Sequence, residues 1–230
     1  MSRRFIATHE RYHRGTTGNQ DRNRLGRVAA GVHRESGTYA AVPDSVVTMN
    51  RVVVMLSVSL EGFFEAPDGD ISWHHVTEAL HRDMNAVLGA SGGLLNGRRN
   101  WELMAGFWPH VGPEESDVMQ EFSAIWKRVP QHVFSTTLDS VEHGATLHRA
   151  VDVVPALKAQ ADGDLYAGGG TLAAELARRG WVDRYVLHVN PVVLGAGTSL
   201  FARGERQELR LVAHKTYDDG VASLTYDVVQ

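Results

Sequence analysis

The stretch Leu165-Tyr166-Ala167-Gly168-Gly169-Gly170-Thr171-Leu172 decides the fold. A short apolar strand runs into three consecutive glycines and then into Thr171–Arg179, a segment of helical spacing stopped by Gly180. Glycines let a phosphate approach the backbone closely, because no Cβ stands in the way. The first turn of the helix adds unpaired N–H groups and the positive end of its dipole. The pattern is neither GxGxxG nor a P-loop, so neither a Rossmann fold nor an ATPase follows from it. A plain strand-to-helix turn is the competing reading, and it rarely needs three glycines in succession.

Around this junction the chain alternates strand with helix. Strand patterns cover Arg51–Ser57, Gly92–Asn96, Gln131–Ser135, Thr146–His148, Asp164–Ala167 and Val182–Pro191. Helical patterns cover His74–Leu88, Arg98–Met104, Ser116–Trp126 and Asp152–Gln160, the last with Asp152 as a plausible N-cap. Glu208–Lys215 and Val221–Val228 alternate around a turn and form a terminal hairpin. The expectation is an α/β fold with a largely parallel sheet of about eight strands, four or five helices on its two faces and an antiparallel C-terminal hairpin.

Further segments fall at strand ends, where open α/β sheets bind ligands. Leu95-Asn96-Gly97-Arg98-Arg99 is a second strand–glycine–helix junction, with two arginines in the first helical turn. Cations there oppose the helix dipole unless an anion is bound, and arginine suits the 2′-phosphate of NADPH. The competing reading is a solvated basic turn. Phe134-Ser135-Thr136-Thr137 places hydroxyls at another strand end, within reach of the same phosphate. Ser57–Phe63, followed by Pro67–Trp73, forms a glycine- and acid-bearing loop suited to closing over a ring substrate, or else an ordinary solvated loop.

Several classes are excluded or disfavoured. There is no cysteine, so disulfides, thiolate zinc sites and a cysteine nucleophile are absent. His74, Glu78 and His81 would share one helical face, but no HExxH occurs, and a solvated helix face is the expectation, with no metal. No GxSxG elbow is present. The net charge of −4 gives no reason to expect nucleic acid, and no apolar run is long enough for a membrane helix.

The first 49 residues stand apart, with eight arginines, four acids and few large apolar residues. They read as a disordered leader or the product of a misplaced start before Met49, with an organelle-targeting peptide as the third reading. Residues 50–230 are then the folded domain, and a cytoplasmic location fits the missing cysteines.

The ordered set SLEGF (59–63), GDISW (69–73), LNGRRNWE (95–102), VFSTTL (133–138), LYAGGGTL (165–172) and VDRYVLHVNPVVLGAGTSLF (182–201) resembles the dihydrofolate-reductase-like superfamily. Within it the match is to the branch of the C-terminal reductase domain of bifunctional riboflavin-biosynthesis proteins, over about Met49–Gln230. The resemblance implies the mixed, mostly parallel eight-stranded sheet of that superfamily, and NADPH as hydride donor. It implies that Gly97, Arg98 and Arg99 hold the adenosine end, Ser135 and Thr136 lie near the 2′-phosphate, and Gly168, Gly169, Gly170, Thr171 and Leu172 form the pyrophosphate loop. It further implies that Ser59, Glu61, Gly62 and Trp73 line the nicotinamide and substrate cavity, that Val193–Gly197, with Gly195 at its centre, closes it, and that the protein is a homodimer.

There are departures from that pattern. Where the riboflavin-pathway reductases read DGK, this chain has Glu61-Gly62-Phe63, and Ala167 stands where their glycine loop often begins with Glu. Both changes remove polar groups that would meet a phosphorylated ribosylamino-pyrimidine. The proton donor is open: Glu61 and Glu78 are the leading candidates, with Asp68, Asp70 or a bound water beside them. The functional expectation is an NADPH-dependent reductase of a small heterocyclic metabolite of pteridine or riboflavin-precursor type. The alternatives are a non-catalytic cofactor-binding regulatory or stress protein, and a flavin ligand.

Overall fold

The computed structural model describes residues 50–201 and 206–229. The leader expected over 1–49 lies outside them. Strand β1 (Val52–Val58) is the β-branched run, and parallel strands flank it on both sides: β6 (Leu165–Gly168) and β7 (Arg184–Val189). Beyond β6 lie β3 (Gly93–Gly97), β4 (Gln131–Phe134) and β5 (Thr146–His148), all parallel. Beyond β7 the hairpin of β9 (Leu209–Thr216) and β10 (Ala222–Val228) adds the antiparallel edge. The eight-stranded order is β5-β4-β3-β6-β1-β7-β10-β9, so the C-terminal ends of β4, β3, β6 and β1 are neighbours.

Helices cover the sheet: α1 (Glu78–Gly89), α2 (Arg98–Ala105), α3 (Asp117–Arg128), α4 (Val154–Gln160) and α5 (Gly170–Arg178). Alternation divides the strand residues between two cores. Val52, Val54, Leu95, Phe134, Leu165 and Ala167 enter one core with Leu172 and Leu176 of α5. Leu94, Val133 and Tyr166 enter the other with Trp101 of α2 and Phe122 and Trp126 of α3. The fold is therefore the dihydrofolate-reductase-like α/β sheet expected, with its antiparallel C-terminal pair.

The structure departs from expectation at four places. Helix α1 begins at Glu78 rather than His74, because the Thr77 side chain accepts from the Leu80 N–H and caps it there. Asp152 caps nothing: a 3-10 turn (Val151–Val153) precedes α4, and Asp152 pairs with Arg179 at 2.6 Å. A short 3-10 turn, Trp108–His110, follows α2. Two short strands, β2 (Phe63–Glu65) and β8 (Thr198–Ser199), pair antiparallel beside the main sheet. Three- and two-residue strands carry too little alternation to be read from sequence.

Candidate active site

A cleft of about 1040 Å³ opens at the neighbouring strand ends. Its floor carries Gly97, Arg98 and Arg99 from the β3–α2 junction and Gly169, Gly170, Thr171 and Leu172 from the β6–α5 junction. Gly168 lies on β6 just behind them. A smaller groove of about 290 Å³ adjoins the cleft, shares Arg98 with it, and holds Ser135, Thr136, Thr137 and Arg149.

Two glycines of the loop have a demonstrable need to be glycine. Gly169 has φ +87°, and a Cβ there would lie 2.8 Å from the Cβ of Asn100. A Cβ on Gly170 would lie 2.2 Å from the Phe64 ring. The loop is thus clamped between α2 and β2. Asn100 itself is fixed through a buried polar chain: its Nδ2 donates to Asn96 Oδ1 (2.7 Å), Asn96 Nδ2 donates to Gln131 Oε1 (2.9 Å), and Gln131 Nε2 donates to the Trp126 carbonyl (3.0 Å). Helix α5 leaves its first N–H groups aimed out of its start, as any helix does. Gly169, Gly170, Thr171 and Leu172 all line the cleft, so the start of α5 borders it with two residues that carry no side chain, a cradle of the kind that suits a dinucleotide pyrophosphate.

The smaller groove carries two cations. Arg149 donates to the carbonyls of Ser135 (3.2 Å), Leu138 and Asp139 (3.3 Å), which pins the turn after β4. The Ser135 hydroxyl accepts from the Thr137 N–H (3.1 Å) and the Leu138 N–H (3.0 Å), so it shapes the same turn. Arg98 pairs with Glu102 across one helical turn at 3.1 Å, and Arg99 faces Glu65 at 3.5 Å. No motif signalled Arg149, a lone base one residue past a weak strand.

The residues expected at the substrate end are placed differently from the cofactor set. Ser59 is buried, and its hydroxyl donates to Glu61 Oε2 (2.9 Å). The Glu61 carboxylate accepts from the backbone N–H groups of Leu194 (3.0 Å) and Gly195 (2.8 Å), and those bonds hold its pKa below the usual carboxylate value. Gly62 makes the turn into β2, where its carbonyl accepts from the Leu200 N–H (3.3 Å). Trp73 is buried, donates to the Asp70 carbonyl (3.0 Å), and meets the His74 ring edge-on at 4.3 Å. Glu78 pairs with Arg82 along the exposed side of α1. None of Ser59, Glu61, Gly62, Trp73, Glu78 or Gly195 lines the cleft.

Other residues form that wall. From β1 and β2 come Leu56, Ser57, Phe64 and Glu65, with Ile71 and His74 from the loop after them. The Glu65 carboxylate also accepts from the Thr198 hydroxyl at 3.0 Å. His74 Nε2 lies 3.3 Å from the Phe64 carbonyl, and burial pushes its pKa down to about 4, so it is neutral at physiological pH. The shared helical face expected for His74, Glu78 and His81 does not exist, because His74 precedes the helix. His81 is also not solvated: it packs on Trp108 and Phe122 at 5.9 and 5.7 Å. Among the described residues no group of three or more histidine and acid side chains is arranged around a metal position, and no helix is long and apolar enough to cross a membrane.

The family model described as the RibD C-terminal domain matches residues 50–223. The uncharacterized protein YyaP of Bacillus subtilis (strain 168) is 29% identical over 185 residues, covering 76% of this chain and 94% of that one. A pyrimidine reductase-like protein from Corynebacterium diphtheriae superposes with a TM-score of 0.60 at 13% identity, over 84% of this chain and 97% of its own. Dihydrofolate reductase from Enterococcus faecalis, solved in complex with NADP(H) and RAB-propyl, superposes with a TM-score of 0.56 at 14% identity, over 79% of this chain and 98% of its own.

Proposed function

The chain belongs to the RibD C-terminal domain family, and from that premise we propose that it is an NADPH-dependent reductase of a small ring-containing metabolite. The observation that carries the reading is the meeting of the two glycine junctions and the arginine-bearing groove at adjacent strand ends, around one cleft large enough for a dinucleotide and a ring.

In this reading the N–H groups at the start of α5 hold the pyrophosphate, and Arg98, Thr136 and Arg149 meet the 2′-phosphate. Ser135 holds the turn that presents them. The bound NADPH supplies the hydride, and the protein supplies orientation and a dry wall. Phe64, Leu56 and Ile71 exclude water from one side of the reacting ring. Reduction of a C=N or C=O group also takes up one proton at nitrogen or oxygen. We assign its delivery to water admitted between Glu65 and His74, the two titratable side chains that line the cleft beside β1. Glu61 and Glu78 are engaged elsewhere. A homodimer belongs to the same reading, and sedimentation of the purified chain checks it.

The test is calorimetric titration of the full chain with NADPH and NADH, followed by oxidation assays with ring substrates. NADPH binding well above NADH, with turnover on at least one ring compound, supports the reading. Binding without turnover on any of them points instead to a cofactor-binding regulator. Binding of neither nucleotide removes the reading altogether.

A further inference from the structure

Helix α2 runs along the cleft and divides it by charge. Its first turn carries Arg98 and Arg99, beside the glycine loop. Its last turn and the segment after it carry Leu103, Phe107 and Val111 and then two carboxylates, Glu114 and Glu115, all on the cleft wall. The same cleft is lined by the apolar side chains of Leu56, Phe64 and Ile71. No lysine lines the cleft among the described residues. Each of its two arginines already faces a carboxylate of the same wall, Glu102 for Arg98 and Glu65 for Arg99.

A phosphate moved into such a half-cleft would lose its water and meet no lysine or arginine beyond the first turn of α2, only the His110 ring, while Glu114 and Glu115 repel it. A neutral ring would replace water with apolar contact, and a cationic ring would gain attraction from the rim. Resting on the reductase reading, we infer that the half of the cleft beyond the first turn of α2 selects an uncharged or cationic heterocycle that carries no phosphate, with Glu114 and Glu115 as the residues that reject phosphorylated relatives. The charge pattern assigns the enzyme to a step that acts on a free ring compound rather than on its phosphate ester.

Neopterin and neopterin 3′-phosphate, one ring and side chain without and with the phosphate, test this. Each is titrated by pterin fluorescence into the full chain saturated with oxidised NADP, after calorimetry has measured nucleotide binding alone. The phosphate ester is expected to bind at least about tenfold more weakly at low salt, with the gap shrinking as ionic strength rises. The double variant Glu114→Gln, Glu115→Gln, checked for an unchanged melting temperature, is expected to bring the two affinities within about threefold. Equal or tighter binding of the ester, an unaltered gap in the double variant, or no neopterin binding with the nucleotide in place would each overturn the inference. Absence of nucleotide binding would instead sink the reductase reading. The pterin pair titrated into the nucleotide-free chain would still report the charge preference.

Discussion

The ring of Phe64 lies so close over Gly170 that a single added methyl group would meet three of its carbon atoms at 2.2–2.3 Å. Phe64 is buried at 8% exposure on the short strand β2, and Gly170 opens helix α5. The contact joins the two-stranded flap to the glycine loop. Gly170→Ala is therefore expected to push the ring aside or tilt the helix start, weakening NADPH binding by at least about tenfold, or ~1.4 kcal/mol. Phe64→Ala in the same chain should recover part of that loss, because it removes the atom the methyl group strikes. Calorimetry on both variants measures this, and equal loss in single and double variants would show that the strain lies in the backbone instead.

Arg98 and Arg149 are the two cations of the smaller groove, and only Arg98 also lines the main cleft. A phosphate in the groove would be held by charge-assisted hydrogen bonds, each stronger than a neutral one. Arg98→Ala should weaken NADPH by about tenfold or more while changing NADH by less than about threefold. Arg149→Ala should do the same and also lower thermal stability, because it frees three carbonyls of the turn after β4. Equal losses for the two nucleotides would mean that no 2′-phosphate sits in this groove.

The strands and the two glycine junctions that border the cleft were legible in the sequence because each depends on a local signal. Val52–Val58 is a β-branched run, and each glycine junction follows its own strand within five residues. The opposite wall, with Phe64, Glu65 and His74, was not legible, because tertiary pairing builds it. Phe64 and Glu65 reach the cleft only because β2 pairs with β8, some 135 residues later. His74 belongs to the cleft because Thr77 starts the helix after it, although its spacing from His81 imitates a helical face. The resemblance put Glu61 and Gly195 at one cavity, but that the Leu194 and Gly195 backbone donates to the Glu61 carboxylate is a tertiary detail that the residue order does not show.

That meeting ties two loops together through one carboxylate, and it has a pH signature. The bonds from the Leu194 and Gly195 N–H groups lower the Glu61 pKa from its ordinary value of 4.5. The tie is therefore present in full above that value and is lost as pH falls through the lowered one. Amide exchange at Leu194 and Gly195, followed by NMR and corrected for intrinsic rates, should show strong protection at neutral pH that falls on acidification. In Glu61→Gln the exchange should be fast at neutral pH already and nearly independent of pH once corrected for intrinsic rates. Slow exchange in the variant would show that the loop is held by other contacts.

Burial sets a second acid response, over a higher range. His74, His81 and His188 each have a ring pKa pushed down from 6.5 to about 4, in every case chiefly by loss of water around the charged form. His188 stands in the middle of β7 at 4% exposure with neither ring nitrogen hydrogen-bonded. Between pH 6.5 and 4 the unfolded chain binds more protons at these positions than the folded one. Stability is then full above pH 6.5 and falls as pH drops through that window, at up to ~1.4 kcal/mol per pH unit for each histidine. His188→Leu removes one of the three. It also removes two unsatisfied nitrogens, so stability at neutral pH should hold or rise by about 1 kcal/mol. Urea unfolding from about pH 5 to 8 should show a shallower acid slope in the variant. An unchanged slope would mean that His188 takes its proton in the folded chain as readily as in the unfolded one.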